Sequence, residues 1–204
     1  ILNRPSLLTR YHEKLLPFEA VAQGFLKPSD LVPTHIGGLD SARAFLKHGG
    51  WAEAIRKPFF GFGGADIKRF SVEQELPPTR NDDLELTQPF LAEIAQKGDR
   101  RIFYLRGKVI GHFVRLPKPG DHVSNIAHGG TGHLVPMSAP QKSVAESLGR
   151  FLKKIGVDFA GVDMIGRRIS EVNITSPTGI RTYAELSGID LAPKLAEHAQ
   201  RLAE

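Results

Sequence analysis

The stretch that most constrains this chain runs from Gly161 to Thr178: an apolar run, a glycine, and then a strict alternation of polar and apolar residues. A short apolar run, a turn residue and a period-two segment together predict a β-hairpin. Ile169, Glu171 and Asn173 share one face of its second strand, because side chains repeat every two residues. The place of Asp163 on the first strand depends on the turn. A three-residue turn, Gly166 to Arg168, pairs Ile165 with Ile169 and sets Asp163 opposite Glu171. A two-residue turn puts the two carboxylates on opposite faces. In the first arrangement two carboxylates and a carboxamide oxygen converge on a small patch. Such oxygen-only clusters suit hard cations such as Mg²⁺, which takes a few protein oxygens and shares the rest of its coordination with phosphate. A surface hairpin with ordinary polar alternation fits the same periodicity.

With 204 residues the chain is long enough for one sizeable core, or for two small lobes sharing an edge. Nothing at the start resembles a signal peptide, and no run approaches the length of a membrane span. The absence of cysteine removes disulfides, thiol nucleophiles and thiolate metal sites together, which fits a cytoplasmic protein. The net charge of +5 favours anionic partners in general. However, the basic residues are dispersed and no basic run carries interleaved aromatics, so nucleic-acid binding is not expected. The chain begins at Ile1 without an initiator methionine, as a piece of a longer protein would.

Pro5 opens a helical pattern with Leu8, Tyr11 and Leu15 on one face, and a short second helix is expected from Pro17 to Phe25. Leu31–Thr34 reads as extended, and Leu39–Lys47 as a helix ending at Gly49–Gly50. Ala52–Lys57 reads as a strand entering a glycine-rich segment with Gly61, Gly63 and Gly64. A strand, a glycine turn and a second strand form a flap whose backbone N–H groups can close over phosphates, and Lys57 can add a positive charge to it. A flexible hairpin loop accounts for the same glycines. Leu84–Gln88 reads as a strand, with Pro89, Phe90 and Leu91 as a connector. Ile102–Leu105, Gly107 and Val109–Val114 form a hairpin carrying Arg101 at one end and Arg115 at the other. Arginine grips carboxylates and phosphates bidentately, although arginines at strand ends are usually solvated. Pro117–His133 is a loop without apolar periodicity, of the kind that acts as a lid. Its histidines, His122, His128 and His133, lack the short-range spacing of common zinc sites. Ser138 with Gln141 forms a capping box ahead of a helix whose buried stripe is Val144, Leu148, Phe151, Leu152 and Ile155, with Gly156 as its C-cap. Thr178–Arg181 reads as a short loop, and a final helix from about Asp190 presents Leu191, Leu195 and Leu202.

These pieces describe a nucleotide held between two β-rich lobes, and the sequence resembles the bacterial glutathione synthetase family of the ATP-grasp superfamily. Asn3–Arg4–Pro5 with Glu13–Lys14–Leu15 resembles the family's NxP…EKL segment. Lys57–Pro58 with Gly61–Gly64 resembles its KPLDGMGG flap, and Gly98–Arg101 its GDKR. Arg115–Pro117 resembles the RIP that opens the lid, and Asn125–Gly132 resembles NLAAGGRG. Gly161–Thr178 resembles GLDIIG…TEINVTSPT almost position by position. The resemblance covers essentially the whole chain, while the chain covers roughly the last two-thirds of the family's length; the family's amino-terminal substrate domain is expected to precede it.

The resemblance implies an α+β, ATP-grasp architecture in which two α+β lobes with antiparallel sheets clasp a nucleotide. It divides the chain into a helical lead-in (1–30), a small lobe with the glycine flap (31–86) and a large lobe with the lid and metal site (87–204). By the same resemblance Lys57 contacts ATP phosphates beneath a flap of Gly61, Gly63 and Gly64. Gln88, Pro89, Phe90 and Leu91 hold adenine by backbone groups; Pro89 has no N–H, so the donor comes from Leu91. Asp163, Glu171 and Asn173 hold Mg²⁺, or Mn²⁺ in its place. Arg101 and Arg115 are the catalytic cations. Asn125, Gly129, Gly130, Ser176, Thr178 and Gly179 lie against the substrates, γ-glutamylcysteine and glycine. The implied reaction is ADP-forming C–N ligation through an acyl phosphate, with no nucleic-acid or membrane partner and with homo-oligomerisation as the family commonly shows. The chain departs from the family at Val123 and Thr131, where lid arginines are usual, at Phe59–Phe60 in the flap, and near Ile36–Gly37, where a lysine is missing. A ligase for another amino acid or peptide, or a nucleotide-binding piece without catalysis, are the alternatives.

Overall fold

The computed structural model describes residues 2–60, 67–74, 85–118 and 129–203. Two antiparallel sheets carry the chain. The smaller one contains β1 (His35–Gly37), β2 (Glu53–Pro58), β3 (Lys68–Ser71) and β4 (Glu85–Pro89), in the order β1-β4-β2-β3. The larger contains β5 (Asp99–Leu105), β6 (Lys108–Leu116), β7 (Thr131–His133), β8 (Phe159–Ile165) and β9 (Arg168–Asn173), in the order β7-β6-β5-β8-β9. The helices are α1 (Pro5–Arg10), α2 (Leu16–Ala22), α3 (Leu39–His48), α4 (Ile94–Lys97), α5 (Ala139–Lys154), α6 (Ile180–Ser187) and α7 (Ala192–Arg201). The architecture is therefore α+β with antiparallel sheets.

Strand alternation sorts the larger sheet's side chains between two cores. Ile102 and Tyr104 of β5 face α5, packing with Val144, Leu148, Phe151 and Leu152, the helix stripe expected from periodicity. Each such buried apolar side chain contributes about 1.5–3 kcal/mol. Ser138 caps α5 through the predicted box, its hydroxyl accepting from the Gln141 N–H while the Gln141 carboxamide accepts from the Ser138 N–H. Phe103 and Leu105 face the other way, against Tyr183, Leu191 and Leu195 of the C-terminal helices. The odd-numbered face of β5 continues past Phe103 to Arg101 and Asp99, so the polar cluster described below is an extension of this second core.

The lead-in segment is sewn to the larger sheet. Asn3, 3% exposed, donates to the carbonyls of Phe159 and Ile174 and accepts from the N–H groups of Asp158 and Phe159. Glu13 accepts from the N–H groups of Ile174 and Thr175, both at 2.7 Å. Lys14 bonds the carbonyls of Pro58 and Phe59, each at 2.8 Å, and so ties the end of β2 to the lead-in.

Several local expectations change. The first helix stops at Arg10, and Leu15 is 39% exposed while Leu16, opening α2, is buried at 1%. Pro89 belongs to β4, paired with Ala54, rather than to a connector. Ile180 and Arg181 begin α6 instead of lying in a loop, and Leu202 is 46% exposed because α7 ends at Arg201. The α5 C-cap is Ile155, with Gly156 following it at φ +81°.

Candidate active site

The β8–β9 hairpin turns on two residues, Gly166 and Arg167, with Ile165 paired to Arg168 and Met164 to Ile169. On the sequence argument this turn separates the carboxylates, and that expectation is corrected. A β-bulge leaves Ser170 without a partner and shifts the register by one, so that Asp163 pairs with Glu171 and Gly161 with Asn173. A one-residue slip moves every later side chain to the other face, so the bulge brings Asp163, Glu171 and Asn173 onto one face.

Asp163 sits between two arginines. Arg101, its register partner on β5, donates through Nε to Oδ1 at 2.7 Å and through Nη2 to Oδ2 at 3.2 Å. Arg115 on β6 reaches Asp163 Oδ1 at 2.9 Å and grips Asp99 with both Nε and Nη2. The result is a buried chain of alternating charge, Asp99–Arg115–Asp163–Arg101, in which every member is at most 8% exposed. These strand-end arginines are not solvated, as their position led one to expect, because each is matched by a carboxylate on a neighbouring strand. Burial works to raise the Asp163 carboxyl, but the two guanidinium groups outweigh it and hold it below the usual carboxylate range. Burial likewise works to depress Arg115, and Asp163 and Asp99 reverse that effect and raise it.

Glu171 is raised instead: burial disfavours its charge, Lys57 pulls it back, Asp163 adds to the rise, and Lys14 opposes it. The ammonium groups of Lys57, on β2, and Lys14, in the lead-in, thus both favour the charged form of Glu171. Lys14 is depressed, first by burial, with Glu171 opposing and Lys57 reinforcing the shift. Lys14 is the functional candidate that sequence reasoning missed. It was visible only inside the Glu13–Lys14–Leu15 segment, and nothing local places it beside a carboxylate 157 positions along the chain.

The remaining predicted positions divide as follows. Gln88 and Pro89 lie in β4, where the Gln88 carboxamide donates to Thr34 Oγ1 at 2.9 Å. The Phe90 N–H is committed to the Glu53 carbonyl at 2.9 Å, and the Arg69 guanidinium lies 3.8 Å over the Phe90 ring. Among the described residues the Leu91 N–H has no backbone acceptor. Thr178 is joined to the cluster, its carbonyl accepting from Arg101 Nη1 at 2.9 Å, and Gly179 follows at φ +99° as the residue before α6. Ser176 is exposed on the same loop. Gly161 is a glycine for a local reason: a Cβ there would stand 3.0 Å from Arg101 Nη1 and from Pro177. Gly129 and Gly130 immediately precede β7, whose Gly132 pairs with Arg115. Thr131, also on β7, bonds His133 at 2.9 Å. Gly61, Gly63, Gly64, Asn125, Val123, His122 and His128 lie outside the described residues. Among the described residues no three His, Cys, Asp or Glu side chains form a metal cluster. Asp163, Glu171 and Asn173 offer two carboxylates and one carboxamide, a hard oxygen set that fits Mg²⁺ or Mn²⁺ and lacks the soft ligands of other metals.

Residues 26–188 match the model of the prokaryotic glutathione synthetase ATP-grasp domain, well over half of the chain. The chain belongs to that family. ATP-grasp domains of this family imply ATP binding with a divalent metal. Among relatives, the chain is 30% identical over 204 residues to the glutathione synthetase of Prochlorococcus marinus subsp. pastoris, covering 97% of this chain and 64% of that protein. It is 33% identical over 205 residues to the glutathione synthetase of Shewanella oneidensis, covering 96% and 62%. The chain thus spans a little under two-thirds of the length of these synthetases. In solved structures the fold resembles D-cycloserine synthetase DcsG, with a TM-score of 0.70 at 17% identity over 96% of this chain and 73% of that one. It also resembles the ATP-grasp ligase PsnB in complex with its minimal precursor, with a TM-score of 0.69 at 15% identity over 100% and 63%. The ATP-grasp fold expected for this α+β chain is thereby shown. Among the described residues no helix is long and apolar enough to cross a membrane.

Proposed function

We propose that this chain is the nucleotide-binding and catalytic portion of an ADP-forming carboxylate–amine ligase, joining γ-glutamylcysteine to glycine to make glutathione. The observation that carries this reading is the bulged β8–β9 register. It pairs Asp163 with Glu171 and sets Asn173 on their face, under the electrostatic reach of Lys57. Family membership narrows the chemistry to ATP-grasp ligation. Residues 31–86 and 87–204 act as the two lobes around the nucleotide, behind a lead-in of residues 1–30.

In this reading Lys57 neutralises phosphate oxygens, and the Leu91 N–H with the Gln88–Pro89 carbonyls orients adenine. Asp163, Glu171 and Asn173 would hold Mg²⁺, or Mn²⁺ as the alternative, which when bound offsets the charge of the β- and γ-phosphates. Arg101 and Arg115 meet the negative charge that develops as the peptide carboxylate attacks the γ-phosphorus and ADP leaves. The glycine amine then attacks the acyl carbon and inorganic phosphate departs. Both arginines are already immobilised by Asp163 and Asp99, so they need little reorganisation as charge builds. Thr178, whose carbonyl accepts from Arg101, together with Ser176, Gly179, Gly129 and Gly130, and Asn125 by family resemblance alone, would serve the acceptor side. No protein nucleophile is required, which suits a chain without cysteine. A ligase for a different amino acid or peptide is the second reading, favoured by Thr131, a neutral side chain where the resemblance leads one to expect an arginine. A cytoplasmic setting and a homo-oligomeric assembly belong to the same proposal.

Calorimetric titration of MgATP into the chain and into Asp163→Asn/Glu171→Gln tests the reading. Binding that collapses in the double variant supports it, and ADP release with γ-glutamylcysteine and glycine extends it to the substrates. A folded parent chain that binds no MgATP defeats it.

A further inference from the structure

At the end of the larger sheet remote from Asp163 lies a cleft of about 460 Å³, within the range of small-ligand sites. It is bordered by Arg4, the β5–β6 turn, the end of α5 and the last turn of α7. Along β5, at about 3.3 Å per residue, Arg101 and Arg106 are separated by roughly 16 Å. A ligand in this cleft is therefore a different ligand from the one held at the hairpin.

The charge of the cleft is one-sided. Among the described residues Arg4, Arg106, Lys153 and Arg201 line it against a single carboxylate, Asp158. That carboxylate is taken by His198, which bonds it at 2.7 Å with both side chains largely buried. Among the described residues Arg4, Arg106 and Lys153 form no ion pair, and Arg201 pairs only with the exposed Glu197 outside the cleft lining. Four cations drawn from four separate segments are held within one concavity.

A second, independent observation concerns Arg106. It has φ +50°, the one non-glycine residue of the described chain in the left-handed region, and Gly107 follows at +74°. Two-residue hairpin turns with both central residues at positive φ strongly prefer Asn or Asp followed by Gly. Here the first position holds an arginine, at a conformational cost, and its backbone is pinned by a 2.7 Å bond from its N–H to the Asp158 carbonyl. The turn thus fixes the backbone of a cationic residue at the edge of the cleft, where the favoured residues are neutral or acidic.

We propose that this cleft is a second anion site, taking a small molecule with two or more phosphate charges. Among the described residues no Phe, Tyr or Trp lines it, so they offer no platform on which to stack the bases of a single-stranded nucleic acid. Leu7, Ile155 and Val157 give it an apolar wall for the uncharged part of such a ligand.

The test is titration of the chain with pyrophosphate, without divalent metal, followed by calorimetry and amide chemical-shift mapping. Arg106→Asn/Lys153→Gln is the informative variant, because asparagine suits the turn and neither residue leaves a carboxylate unpaired. Lys57→Ala serves as the control for phosphate entering the nucleotide site. Pyrophosphate binding weakened at least tenfold by Arg106→Asn/Lys153→Gln and little changed by Lys57→Ala, with shifts at residues 4–7 and 153–158, is the expected result. No binding at millimolar pyrophosphate overturns the proposal. So does binding that Arg106→Asn/Lys153→Gln leaves intact, or that Lys57→Ala weakens as much.

Discussion

Replacing Arg115 with methionine removes the central cation of the Asp99–Arg115–Asp163–Arg101 chain while keeping most of its bulk. Arg115 is 7% exposed and holds two carboxylates that are each 8% exposed. Without it Asp99 loses its only ion-pair partner among the described residues, and Asp163 keeps Arg101 alone. Removing one partner of a buried pair costs about 3–5 kcal/mol, since the remaining charge stays desolvated. At roughly 2–4 °C per kcal/mol for a chain of this size, Tm is expected to fall by about 6–20 °C. Urea unfolding followed by circular dichroism measures the loss. The double variant Asp99→Asn/Arg115→Met is expected to lose less than the sum of the two single losses, by more than about 1 kcal/mol, because the orphaned charge is gone. The pH dependence follows from Asp163. Its carboxyl is held below its unfolded value, so its stabilising contribution is present above that value, about 3.9, and disappears as pH falls through the lower folded value. In Arg115→Met the loss of stability below about pH 4 becomes shallower. A single-variant cost under about 1 kcal/mol, or strict additivity in the double variant, refutes the coupled-chain argument.

Asn3→Ala strips hydrogen-bond partners from four backbone groups near Phe159 and Ile174, and a loss of at least about 2 kcal/mol is expected in the same assay. Gly107→Ala places a Cβ 2.3 Å from the Gly149 carbonyl at a residue with φ +74°, so it destabilises well beyond the ~1 kcal/mol cost of the left-handed conformation alone. The Glu171 carboxyl is raised by burial, and a metal binds only its charged form. Affinity for Mg–nucleotide should therefore drop as pH falls through that raised value, with proton release on binding. Calorimetry in two buffers of different ionisation enthalpy detects that release; identical heats would count against Glu171 as a ligand. Lys14→Met removes the tether to the Pro58 and Phe59 carbonyls, and a several-fold loss of MgATP affinity with little change in Tm distinguishes site positioning from a purely structural role.

Much of the architecture is legible locally. The alternation in β9, the glycine between Ile165 and Arg168, and the Ser138–Gln141 box each act over a few residues. Nearest-neighbour sterics and hydrogen bonding suffice to read them. The helix stripe on α5 is legible for the same reason, since 3.6-residue periodicity already states which face is buried. The site itself was only half legible. The residues Asp163, Glu171 and Asn173 stand out in the chain, but their convergence depends on the bulge at Ser170, which no alternation pattern predicts. Arg101 and Arg115 look like ordinary strand ends until β5, β6 and β8 are laid side by side. Their burial is tolerable only because Asp99 and Asp163 arrive from across the sheet. Lys14 meets Pro58, Phe59 and the field of Glu171, all far along the chain. Periodicity is a property of neighbours, whereas a buried charge is permitted or forbidden by whatever the fold places against it, and that is settled by tertiary structure.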